Sequence, residues 1–137
     1  MTLHVELLMP DRSLWSGEAS MVIAKTMDGD VGILAGRAPV FGILSPGSMV
    51  RIQPLAGDEE VSTTEVRAAV RDGFLSVTSD RVSILASLGL LADDVNVSSA
   101  QADLDTATAE AGSPAAAEES VEVKYARAQL RAAGEQA

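Results

Sequence analysis

No cysteine occurs anywhere in the 137 residues. That excludes a disulfide frame, a thiolate metal site and a cysteine nucleophile, and it fits a reducing interior. Histidine occurs once, at His4, so neither a His-rich metal centre nor a Ser-His-Asp triad has anything to build on, and His4 reads as a structural residue of a first strand. Cations are scarce: 10 Lys and Arg stand against 20 Asp and Glu, a formal net charge of −10. Such a chain repels phosphate backbones and anionic lipid, so the expected partners are proteins, with no nucleic acid and no direct lipid binding. No run approaches the ~20 apolar residues of a membrane-spanning helix, and the opening MTLHVELLMPDR has neither the basic nor the apolar region of a leader. The expectation is a soluble, cytoplasmic protein.

What the chain does have is a hydrophobic fraction of 47%, enough at this length for one core-bearing domain with a small appendage. Up to Leu91 apolar and polar residues tend to alternate. Val50 and Ile52 are set against Arg51 and Gln53, and Val66, Ala68 and Val70 against Glu65, Arg67 and Arg71. This period of two marks half-buried strands. Turn signals at Asp28-Gly29, Pro46-Gly47, Gly57-Asp58, Asp72-Gly73 and Ser79-Asp80 divide the runs, a spacing that predicts an antiparallel β-sandwich or barrel. The sharpest hairpin pairs Phe74–Val77 with Val82–Leu85 around Thr78-Ser79-Asp80-Arg81. Between Gly29 and Gly47 lie five of the eleven glycines and two of the five prolines. The loops there are too short to enclose a cofactor, so the stretch reads as a shaped contact surface whose glycines make turns.

Beyond Leu91 alanine and acidic residues take over. Ser98-Ser99-Ala100-Gln101 fits a capping box, so a helix is expected to begin there. Ala100, Leu104, Ala107 and Ala111 form a narrow stripe on it. Gly112-Ser113-Pro114 ends that helix and starts a second, with Glu118 and Glu119 near its positive end, Lys124, Arg127 and Arg131 toward its negative end, and a stripe of Val123, Ala126, Leu130 and Ala133. Stripes made mostly of alanine bury little area, so the pair gains only a few kcal/mol by packing and is expected to be detachable.

Chemistry is thin. Asp28-Gly29-Asp30 begins like a calcium loop, but Gly32 and Pro39 occupy later ligand positions. Gly29, Gly32 and Gly36 are not spaced as a dinucleotide fingerprint, and no Gly-Lys-Ser/Thr follows. No metal and no cofactor are expected. Trp15, beside Ser16-Gly17, reads equally as an interface anchor or as a cover over the core.

The run GDVGILAGRAPVFGILSPGSMVRI, preceded by DRSLWSGEA and followed by DGFLSVTSDRVSILA, resembles the epsilon subunit of the F-type ATP synthase. The resemblance covers the whole β part. It implies a mostly β fold with a small α part: an N-terminal antiparallel β-sandwich over residues 1–90 that binds the gamma subunit and the ring of c subunits, and a C-terminal antiparallel helical hairpin over 91–137 with a regulatory role. It also implies a noncatalytic rotor subunit of the central stalk, peripheral to the energy-coupling membrane on its cytoplasmic side, that couples proton-driven rotation to ATP synthesis. Asp30 falls at the family's acidic contact position for the c-ring, with Ile33 and Arg37 beside it, although Ala35 replaces the usual proline and Arg37 the usual histidine.

For the hairpin, the resemblance implies extension along gamma toward the alpha/beta catalytic head, where Lys124, Arg127 and Arg131 would form a regulatory contact that restrains ATP hydrolysis. Some members hold ATP on this hairpin through a Leu-Asp-x-x-Arg-Ala motif joined by arginines of the second helix. Leu104, Asp105 and Ala109 keep that motif but Thr108 replaces its arginine, so a nucleotide site built from Asp105, Arg127 and Arg131 is expected to be weak or absent. Two other readings stay open from the residues: a free-standing β-sandwich interaction module with a helical docking hairpin, and a small hydrolase.

Overall fold

The computed structural model describes residues 2–55 and 65–135, so the turn expected at Gly57-Asp58 lies outside the described residues. Strand β1 (Leu3–Leu8) shows the alternation directly, with Leu3, Val5 and Leu7 buried and His4, Glu6 and Leu8 half-buried. Strand β2 (Ser13–Thr26) is 14 residues long, enough to serve two neighbours along one edge. Its first half pairs with β1 and its second with β3 (Gly29–Leu34). Its other edge takes β5 (Ser48–Pro54). The remaining strands are β4 (Val40–Ile43), β6 (Val66–Val70), β7 (Gly73–Thr78), β8 (Arg81–Ala86) and β9 (Gly89–Leu91), in the order β4-β7-β8-β1-β2-β5-β6-β9 with β3 branching from β2. The antiparallel expectation holds for these pairings with one exception: β1 runs parallel to β8.

The β7–β8 hairpin closes on Ser79 and Asp80, with φ of 51° and 61°. Both central residues in the left-handed region define the primed turn whose twist matches its strands. Asp80 is doubly used, because its carboxylate accepts the Gly36 amide at 2.6 Å. The core between the layers is aliphatic, led by Leu3, Leu7, Ile33, Leu44, Ile52, Leu75 and Ile84, all fully buried. Trp15 packs against this core over Gly17 and is a core cover. His4 lies on the outer face of β1, 3.0 Å from Glu18 and 3.5 Å from Glu6.

Helix α1 spans Val97–Ala111. The expected capping box is displaced: Asn96, in extended conformation, accepts the Ser99 amide at 2.9 Å, and Gln101 instead donates to Asp105. An asparagine one residue before the first helical turn reaches that amide with a short, stiff side chain and wins over the later serines. Gly112, at φ 84°, closes the helix.

The expected second helix is two helices, α2 (Pro114–Glu119) and α3 (Val121–Ala132). Ser120 breaks them: its backbone is extended and its hydroxyl caps the Val123 amide, the competition with helical hydrogen bonding for which serine is suited. Glu118 and Glu119 therefore end a short helix rather than begin a long one.

The break lets α3 bury two faces. Val123 packs with Ala107 and Ala117, against Leu104 and Ala111. Tyr125, Ala128 and Ala132 pack onto Ala69 of β6 beside Met49 and Ala92. That second contact is why Ala69, which strict alternation would leave outside, is fully buried.

Candidate interaction surfaces

The glycine-rich stretch divides into turn and strand. Gly29, Gly36 and Gly47 have positive φ, whereas Gly32 and Gly42 lie inside β3 and β4. The three residues expected to form one contact are separated. Asp30 is exposed near the start of β3, opposite Lys25 in the β2 register. Arg37 is exposed beyond the other end of that strand, next to the Gly36–Asp80 hydrogen bond. At ~3.3 Å per residue the strand alone sets them more than about 10 Å apart. Ile33 corrects the expectation: it is fully buried in the sandwich core, because its position in β3 points inward while Gly32 and Leu34 point out. Its side chain belongs to the core and is not available to a partner.

A cluster of exposed large apolar side chains lies elsewhere. The chain has two phenylalanines, and both lie outside the core: Phe41 on β4 is 68% exposed and Phe74 on β7 39%. Their rings meet at a centroid distance of 5.6 Å, tilted by 35°. Ile43, 59% exposed, is the cross-strand partner of Phe74, and its carbonyl accepts the amide of Met27, which is 65% exposed. A contiguous apolar face of this kind on a small acidic protein marks a contact site. Sequence reasoning passed over it, although the signal was present: in Gly73–Thr78 the phenylalanine shares its parity with Ser76 and Thr78, the outward residues, and not with the buried Leu75 and Val77.

A second surface lies where α3 meets the sandwich. A cleft of about 380 Å³ is lined by Lys25, Asp30, Arg51, Lys124, Arg127 and Arg131, with Ser45, Pro46, Gly47 and Met49 among its walls. The expected regulatory trio thus shares a cleft with the expected ring-contact aspartate. Arg127 donates to Glu118 at 2.9 Å, and Arg51 forks onto Glu65 at 2.9 and 3.1 Å, an arrangement that holds the Arg51 proton more tightly than usual, first through the hydrogen bond and then through the carboxylate's charge.

Close approach fixes this docking. A Cβ on Gly47, whose φ is +60°, would fall 2.3 Å from the Lys124 Cβ and 2.5 Å from the Tyr125 amide nitrogen. Arg71 adds an ion pair with Glu122 across the same junction. Burial raises the Tyr125 phenol above its ordinary range, opposed by the nearby Arg71 charge. Asp105 belongs to neither surface: it accepts from Gln101 at 3.1 Å in a shallow depression beside Leu130 and Glu135.

A β-sandwich with phenylalanines exposed on an outer face, a charged flank and three helices folded onto it offers surfaces suited to protein contacts. Residues 2–89 match the family model of the ATP synthase, Delta/Epsilon chain, beta-sandwich domain. An ATP synthase epsilon chain from Thermobifida fusca is 51% identical over 132 residues, covering 96% of this chain and 91% of the relative. One from Streptomyces griseus is 41% identical over 113 residues, covering 82% and 86%. In fold, a chain of the Euglena gracilis mitochondrial ATP synthase OSCP/F1/c-ring structure matches with a TM-score of 0.76 at 17% identity, over 98% of this chain and 82% of that one. A chain of the Tetrahymena thermophila mitochondrial central stalk and c-ring structure matches with 0.54, also at 17%, over 70% and 71%. This chain belongs to the epsilon chains of ATP synthase, and it is a noncatalytic subunit of that complex.

Proposed function

We propose that this chain is the central-stalk rotor subunit through which proton-driven rotation is coupled to ATP synthesis, seated on the cytoplasmic side of the energy-coupling membrane without touching lipid. The β-sandwich binds the gamma subunit and the c-ring. The observation that carries the reading is the apolar face of Phe41, Ile43, Phe74 and Met27: a rotor subunit must be held through every turn, and burying large apolar side chains holds a surface more firmly than exposed ion pairs, which contribute only ~0 to 1 kcal/mol each. Asp30 serves the ring as a polar contact. Arg37, beyond the far end of β3, serves it only if the ring reaches both ends of the strand.

Replacing Phe41 and Ile43 with aspartate tests this, since both side chains are exposed and the sandwich core is untouched. The variant is expected to stay folded and to be lost from the purified ATP synthase. Full retention of the variant by the complex would refute the assignment.

In the same reading α1–α3 is a regulatory hairpin whose extended form brings Lys124, Arg127 and Arg131 to the alpha/beta head and restrains hydrolysis. Nucleotide binding through Asp105, Arg127 and Arg131 is weak or absent. Two features support that: Thr108 replaces the motif arginine, and Asp105 and the two arginines face different depressions.

A further inference from the structure

We infer that the cleft between α1, α3 and Leu88 is a docking site for a basic segment of a partner protein, one that presents arginine or lysine side chains beside an apolar residue. The cleft lining carries three carboxylates, Asp103, Glu110 and Glu122, and neither lysine nor arginine. Its surroundings have the same sign. Residues 82–123 contain eight Asp and Glu and no Lys or Arg, so this stretch alone carries −8 in a chain whose net charge is −10. Arg71 engages Glu122, whereas Asp103 and Glu110 are exposed and form no ion pair among the described residues. A field of one sign over a cleft draws a partner of the other.

A second feature is independent of the carboxylates. Gln129 is only 8% exposed yet lines the cleft, and its side-chain amide forms no hydrogen bond among the described residues. Its carbonyl oxygen is an acceptor for a guanidinium or ammonium that enters.

The geometry favours a chain segment over a free cation. Asp103 and Glu110 lie on one face of α1 and are set about 10 Å apart along it by the helical rise, too far for one ammonium group to meet both. Ala107, Tyr125 and Ala126, all buried, give the cleft an apolar floor, and Leu88 lies at its rim with 43% of its surface exposed. A free polyamine has no apolar side chain to place on that leucine. A volume of about 360 Å³ admits long side chains but no folded element. Because Leu88 comes from the sandwich, Asp103 and Glu110 from α1 and Glu122 from α3, the cleft is complete only while α3 is docked. By mass action an occupant therefore holds the docked form.

Calorimetric titration of the full chain at constant ionic strength tests the inference. The probe is a synthetic amphipathic peptide with arginines on one face and leucines on the other; the same peptide with citrulline in place of arginine, and spermidine, serve as comparisons. One arginine peptide is expected to bind per chain, more tightly than either comparison. Asp103→Asn combined with Glu110→Gln should weaken it roughly tenfold, two solvent-facing ion pairs being removed at once. Thr106→Glu, which adds a carboxylate to the cleft wall, should tighten it, and a gain in affinity cannot come from misfolding. Asp93→Asn with Asp94→Asn removes the same charge from outside the cleft and should leave affinity nearly unchanged. No binding of the arginine peptide would overturn the inference. So would equal binding of the citrulline peptide, spermidine binding as tightly as the peptide, or the same loss in the Asp93 and Asp94 variant as in the Asp103 and Glu110 variant.

Discussion

One methyl group on Gly47 should loosen α3 from the sandwich. In Gly47→Ala the new carbon falls 2.3 Å from the Lys124 Cβ and 2.5 Å from backbone atoms of Lys124 and Tyr125. Ordinary contact between carbons needs about 3.5 Å, so the helix must withdraw by roughly an ångström. What it stands to lose is the packing of Tyr125, Ala128 and Ala132 on Ala69 and Met49. A tyrosine ring burying on the order of 150 Å² contributes roughly 4 kcal/mol at ~25 cal/mol per Å², and two alanine methyls about 0.8 kcal/mol each, an upper estimate near 5 kcal/mol. A gap approaching an ångström forfeits a quarter to a half of the dispersion contact, and alanine at φ +60° adds about 1 kcal/mol of backbone strain. The expected weakening of the docked state is therefore roughly 2–4 kcal/mol.

Tyr125 is the only tyrosine, so tyrosinate absorbance during alkaline titration reads the docking directly. In the unmodified chain burial holds the phenol above its ordinary range. The docked state prefers the neutral phenol, so this contribution is fully present below the ordinary tyrosine pKa and is lost as pH rises through the raised value. In Gly47→Ala titration should move down toward the ordinary value. Gly112→Ala is the control, with φ +84° and open space around the new carbon: it carries the strain without the clash and should leave the tyrosine unmoved. If Gly47→Ala titrates like the unmodified chain and keeps its thermal midpoint, the close approach does not govern docking.

Other outcomes follow from the same structure. Ser48 is 5% exposed and its hydroxyl has no hydrogen-bond partner among the described residues, so Ser48→Ala should raise the thermal midpoint, because an unsatisfied buried hydroxyl costs about 1–3 kcal/mol; a lowered midpoint would show that the hydroxyl is satisfied. Ile33→Asp should destabilise the sandwich by more than about 3 kcal/mol in urea titration, since it buries an unpaired carboxylate, whereas Asp30→Ala should change stability by less than about 0.5 kcal/mol. Residues 1–91 should fold alone by circular dichroism, because the sandwich core draws no side chain from the helices. Replacing Lys124, Arg127 and Arg131 together with alanine should raise ATP hydrolysis by the assembled enzyme at unchanged subunit content, and unchanged hydrolysis would count against the brake.

Much of this architecture was legible because its signals are local. The Phe74–Leu85 hairpin declared itself through flanking alternation and a Ser-Asp turn, and the Gly112-Ser113-Pro114 boundary through residues with a single common use. The parallel pairing of β1 with β8 was not legible, since nothing within Leu3–Leu8 records which distant strand lies beside it. The break at Ser120 was missed because alanines and glutamates on both sides favour helix, and a lone serine decides the matter only when its hydroxyl captures a backbone amide. The site residues suffered most. Asp30, Ile33 and Arg37 are close in sequence, but strand parity sends one inward and strand length separates the other two. Lys25 and Arg51 join α3 only through the fold.

The regrouping bears on how the hairpin can act under the proposed reading. In the compact form Lys124, Arg127 and Arg131 line a cleft against the sandwich, so the cations that would meet an acidic surface on the catalytic head are committed while α3 is docked. The two uses exclude one another, and restraint of hydrolysis requires α3 to leave. The junction suits such a departure. The apolar area that Tyr125, Ala128 and Ala132 bring to it contributes roughly 5 kcal/mol, the exposed ion pair Arg71–Glu122 adds at most ~1 kcal/mol, and ordering the helix against the sandwich opposes both. A docked state held by so small a margin can give way to contacts offered by a partner, whereas a larger anchor than Tyr125 on Ala69 would lock it. The alanines facing the sandwich are thus read as setting the strength of the latch, and small residues there keep it weak enough to open.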